Sequence, residues 1–128
     1  MSRLARSELL LFALLALHTV DHAVNQPERA LPAGSGLVGI AGFGLVAFAI
    51  VLAVFRSPWA ASVGLIAGAG TVLGFVVIHL PGFGPLADPF TAFDADALSW
   101  ALIIAPILAA VLVTAVATAE LRVPQPAR

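Results

Sequence analysis

The residues with chemistry to offer are few, and four of them share one short stretch. His18, Asp21, His22 and Asn25 fall at i, i+3, i+4 and i+7, so on an α-helix they form a single polar stripe. The stripe ends an apolar run, residues 9–17, that reads as part of a membrane helix. Ionisable groups at membrane depth are costly and are kept mainly where they face the protein interior and pair, which makes them functional-site candidates. His18 and His22, four residues apart, point the same way with a spacing suited to holding one ion. Asp21 offers a further ligand, or the acceptor that fixes an imidazole tautomer. His79, Asp94 and Asp96 complete the candidate metal-ligand set from far along the chain. Whether they can join it depends on the elements that carry them.

Those elements are expected to be membrane helices. Of 128 residues, 61 % are hydrophobic and 10 % charged, which leaves too little polar surface for a soluble domain of this length. Lysine and cysteine are absent and the net charge is −1. There is no basic footprint for nucleic acid, and disulfides, thiolate ligands, iron–sulfur clusters and a cysteine nucleophile are excluded. Any metal must therefore be held by imidazole, carboxylate, amide or carbonyl groups.

Four apolar segments, 7–24, 36–55, 58–80 and 95–119, approach the roughly 20 residues that a bilayer crossing needs. They predict an all-α fold, a polytopic membrane protein whose single domain, 1–128, is a four-helix bundle. Arg56-Ser57-Pro58 closes the second segment with proline starting the third, and Pro81-Gly82-Phe83-Gly84-Pro85 ends the third. Asp94 and Asp96 suit the start of the fourth, where the backbone dipole favours negative charge. The arginines before the first run also resemble a signal peptide, but no convincing small-x-small cleavage site adjoins the run and cleavage near Ala30 would discard His18 and His22, so the helix is read as retained.

Arg3, Arg6, Arg56, Arg122 and Arg128 fall on one side of this topology and Arg29 on the other. The positive-inside rule then predicts a multi-pass protein of the cell membrane with both termini cytoplasmic. Trp59 and Trp100 fall at opposite interfaces, as anchors do. All three histidines, Asp21, Asp88, Asp94 and Asp96 are thereby brought to the outer level. Gly64/Gly68, Gly70/Gly74 and the Gly36, Gly39, Gly42 series are expected to be tight packing faces. Pro106 is expected to kink its helix. Residues 81–93 read either as a cap over the outer mouth or as an interfacial loop. Glu28 with Arg29 reads as a solvated pair, and Glu8 and Asp88 as surface charges.

Three readings of the polar cluster stay open. The first is a divalent transition metal, zinc, iron, nickel or copper, bound for transport, sensing or redox chemistry; sulfur-free ligation argues against Cu(I). The HxxDH element, residues 18–22, resembles histidine–aspartate motifs on the first helices of small bacterial metal permeases, a likeness of five residues. The second reading is a bis-histidine haem, with His79 opposite His18 or His22. The third is a non-catalytic scaffold or complex subunit whose polar network fixes helix packing. A metal with an open position can activate water or dioxygen, with Asp21 or Asp94 as base, but no nucleophile motif or phosphate-binding loop accompanies it. The expected partners are the lipid bilayer and either a second copy or a larger membrane complex.

Overall fold

Ser2 opens the first helix. Its Oγ accepts the Ala5 N–H at 3.0 Å, which satisfies one of the donors that a helix start leaves bare. The helix, α1, runs Arg3–Asn25, so it begins before the apolar run does. Arg3 and Arg6 ride on its exposed side while Leu4, Glu8, Leu11 and Leu15 form its buried stripe. The structure, a computed structural model, describes residues 1–25, 35–79 and 96–123. Residues 81–93 with Asp88, and also Glu28, Arg29 and Asp94, lie outside the described residues.

The remaining helices are α2, Ser35–Val54, α3, Ala60–His79, and α4, Ala97–Leu121. All four are long and apolar enough to cross a membrane, and together they make the all-α four-helix bundle that the segments predict. Arg56 ends α2 in the left-handed region, at φ 55°, and the Ser57 N–H reaches back to the Leu52 carbonyl at 2.9 Å. That is a Schellman closure with arginine where glycine is usual. Pro58, expected as the first helical residue, stays in the turn. Ser57 instead accepts the Trp59 N–H on its Oγ and the Ala60 N–H on its carbonyl, so α3 begins at Ala60.

α4 packs along both α3 and α1, and α2 lies against α1 and α3, while α1 and α3 touch each other at few points. Leu4, Leu11, Val46, Pro106 and Val113 are completely enclosed between them. Large apolar side chains such as Leu37, Ile40, Leu73 and Leu108 face outward, as lipid-facing residues do.

Glu8 departs from expectation. Read as a surface charge, it has no exposed area at all, because it shares the inward stripe of α1 with Leu4 and Leu11. The glycines divide into two groups. A Cβ at Gly68 would meet Thr114 Oγ1 at 2.5 Å and the Ala110 carbonyl at 2.8 Å, and one at Gly64 would meet Glu8 Oε1 at 2.7 Å. Those two are close-packing positions, as expected. A Cβ at Gly36, Gly39, Gly42, Gly70 or Gly74 would meet nothing within 4 Å. Among the described residues these five border open space rather than a helix seam, which corrects the expectation of tight packing there.

This division is directly testable. Gly68→Ala must push α3 off the α4 backbone, an overpacking cost of about 1–3 kcal/mol. Gly70→Ala adds its methyl to empty space and gains up to about 1 kcal/mol of helix propensity. Thermal unfolding in detergent should rank them Gly70→Ala, wild type, Gly68→Ala; equal effects would refute the packing account.

Candidate metal centre

The last turns of α1 and the last residue of α3 meet at one level. His18 and His22 come from successive turns of α1, with ring centroids 4.7 Å apart and planes at 89°. His79, which ends α3, places its ring 5.1 Å from His18 and 5.8 Å from His22. One donor nitrogen from each of the three lies within 4.8 Å of the other two. Nitrogens sharing a tetrahedral ion at 2.0–2.1 Å are about 3.3 Å apart, so modest ring rotations separate this arrangement from a coordinating one. His18 and His79 are buried, and His22 is half-buried. Phe75, one turn before His79, walls the trio with its centroid 5.0 Å from His18 and 5.2 Å from His79.

A backbone defect on α4 faces His18. In a regular helix the Leu102 carbonyl would accept the N–H of residue 106, but that residue is proline and has no N–H to give. The Leu102 backbone acts on the His18 ring, and the carbonyl freed by Pro106 is the group it presents. His18 Nδ1 is buried with no hydrogen-bond partner, which leaves Nε2 as the nitrogen able to donate to that carbonyl. The Nδ1 lone pair is thereby left free inside the bundle. Sequence reasoning treated Pro106 as a kink alone. The signal that finds its second role is the carbonyl four residues earlier, which cannot be matched to the stripe on α1 until the helices are placed.

Asp21 is buried at 3 % exposure. Its Oδ1 accepts from Asn25 Nδ2 at 2.6 Å, while Oδ2 is buried without a partner. Its charge acts on His18, yet among the described residues the group with metal-ligand spacing is His18, His22 and His79, without Asp21. Asp96 is used differently. It caps α4, its Oδ1 accepting the Ser99 N–H at 2.8 Å, and that bond holds its carboxyl below the usual carboxylate range.

Beside the trio lies a groove of about 520 Å³ between α1, α2 and α3. Its polar end is His18, His22 and His79, and Gly39, Gly42, Gly70 and Gly74 line its walls. The hydroxyls of Thr19 and Thr71, which also border it, donate to their own helices at the Leu15 and Ala67 carbonyls. They offer the groove little polarity.

Fold and site together define a four-helix, membrane-type bundle with a three-histidine cluster near one end. Compared with protein-family models, curated proteins and solved structures, the chain gives no match. Its function has to be read from this geometry.

Two substitutions test the local account. Pro106→Ala restores an N–H to the Leu102 carbonyl, so ¹⁵N NMR should show His18 losing its fixed Nε2–H tautomer; an unchanged His18 spectrum would refute the coupling. Asp96→Ala should speed amide exchange at Ser99. Because the folded carboxyl titrates below its ordinary 3.8, the cap contributes stability above that pH and loses it as the pH falls through the lower folded value. Acidification of the wild type should therefore reproduce the Asp96→Ala exchange pattern.

Proposed function

We propose that the protein binds a divalent transition metal ion through His18, His22 and His79, at the outer level of the cell membrane, with both termini in the cytoplasm. The observation that carries this reading is the convergence of three donor nitrogens from two helices within 4.8 Å of one another. Three donor nitrogens gathered this closely are an arrangement that a single cation can bind together. The Asp21 carboxylate, with one oxygen unpartnered, supplies the compensating negative charge that a buried cation needs. The Leu102 carbonyl acts as the orienting acceptor that metal-bound histidines generally have.

An all-nitrogen donor set with a carboxylate beside it suits Zn(II), Fe(II), Ni(II) or Cu(II). Three protein ligands leave a coordination position open. The groove is where that position is reached, and Asp94 is the further candidate ligand from the start of the fourth segment. The open position suits transport, sensing or redox use of the ion. A bis-histidine haem fits less well, because its two axial nitrogens face each other across the iron with the macrocycle between them. Here His18 and His79 meet edge to face at 84°. The His22 and His79 rings are near-parallel at 24° and 5.8 Å, but the His18 ring lies within 5.1 Å of both, where the macrocycle would need room. The outward-facing apolar side chains are taken to meet lipid, or a second copy of the chain.

The test is metal binding by the purified chain, stripped with chelator and titrated with Zn(II) or Co(II) in detergent. Wild type is expected to bind about one ion per chain, with Co(II) giving the visible bands of a nitrogen-ligated site. His22→Ala and His79→Ala should each weaken binding by more than the roughly 10–100-fold that losing an outer partner costs. Affinity should fall on acidification as the imidazoles take up protons. Absence of stoichiometric metal in the wild type sinks the reading.

A further inference from the structure

At the opposite end of α1 the bundle encloses a group that the metal centre does not use. Glu8 is fully buried, and both of its carboxylate oxygens lack a hydrogen-bond partner. It sits in a niche on α3 that only glycine leaves open, since a Cβ at Gly64 would fall 2.7 Å from Oε1. The charged group that acts on it is another acid, Glu120 of α4. Neither the buried stripe of α1 nor residues 60–68 of α3 bring any other charge to it; Arg3 and Arg6 are exposed on the outer side of α1. A carboxylate buried without donors or a cation is strongly disfavoured, whereas a neutral carboxylic acid can be accommodated. A residue kept for packing alone would be apolar, because a well-packed apolar side chain avoids that cost.

A cavity lies one helical turn away. Of about 340 Å³, it opens at the end of the bundle where α1 starts and α4 ends, lined by Leu4, Ala60, Arg56, Ser57 and Glu120 among others. Leu4 lies one turn from Glu8 on α1, and Ala60 one turn from Gly64 on α3. Glu120 both borders this cavity and acts on Glu8, so it stands between the buried acid and water, and Arg56 is the cation at the mouth.

We propose that Glu8 is a second functional site, a buried carboxylic acid that takes up and releases a proton through the cavity at the termini end. Ten residues of helix, about 15 Å, separate it from His18. α1 then carries a proton site near one membrane face and the imidazole trio near the other. The proposal does not depend on metal binding, and its test is run metal-free.

Infrared spectroscopy of the full chain in phosphatidylcholine vesicles at neutral pH should show the C=O stretch of a protonated carboxylic acid. The band should be missing in Glu8→Gln and shift in D₂O. Glutamate labelled with ¹³C in the wild type assigns the band to glutamate without any substitution. Glu28→Gln and Glu120→Gln, at the other two glutamates, should leave it in place, so a Glu8 variant that fails to fold does not block the test. The chain has no cysteine, so Ser57→Cys carrying a bulky maleimide plugs the cavity alone and should slow deuteration of the band tenfold or more. The proposal is overturned if the wild type lacks the band, if glutamate labelling leaves it unmoved, or if plugging leaves the exchange rate unchanged.

Discussion

The close seating of α4 between its neighbours is what the rest of the molecule depends on. α1 and α3 carry the three imidazoles but touch each other at few points. They are held at a common spacing because each packs along α4. On the α3 side that contact exists only because Gly68 has no side chain, which lets the Ala110 carbonyl and the Thr114 side chain approach the α3 backbone. On the α1 side, α4 presents to His18 the carbonyl that Pro106 has released. One helix thus sets both the distance between the ligand-bearing helices and the orientation of one ligand.

A bundle this apolar has to settle its polar groups internally, and the way it does so separates structural groups from candidate functional ones. Thr19, Thr71, Thr114 and Thr118 each return their hydroxyl to a carbonyl of their own helix, and Ser7 does the same at Leu4. These groups ask nothing of their neighbours. Among the described residues, the buried side-chain atoms left without partners are the two Glu8 oxygens, His18 Nδ1 and Asp21 Oδ2. All four belong to α1. A fold that satisfies its hydroxyls so consistently and leaves these four bare concentrates the cost of burial on one helix, and such costs are usually retained for function.

Much of this was legible beforehand. Four apolar runs and their turn residues give the architecture, and the i, i+4 pair His18/His22 with the topology of His79 brings three rings to one level. Asp96 announced itself as a helix start and is one. What stayed hidden depends on rotation and approach between helices, which one-dimensional spacing does not encode. Glu8 lies close to Arg3 and Arg6, where a charge is ordinarily solvated, and only the position of Gly64 across from it explains its burial. The glycine pairs read alike along the chain, yet Gly64 and Gly68 face helices while Gly70 and Gly74 face space. Pro106 looked like a bend because its effect falls on the Leu102 carbonyl, whose user sits on another helix.

The unequal anchoring of α2 has a mechanical consequence. Its later half is tied down by buried Val46, Ala49 and Ala53, and by Phe43, whose ring meets Phe12 edge-on at 5.4 Å. Its first two turns have no such hold. Among the described residues, no side chain fills the gap between Gly36, Gly39 and Gly42 on one wall and Gly70 and Gly74 on the other. A bend of α2 toward α3 at Phe43 would meet glycine backbone on both walls, and its cost is the strain on the i→i−4 hydrogen bonds of α2 at the bend.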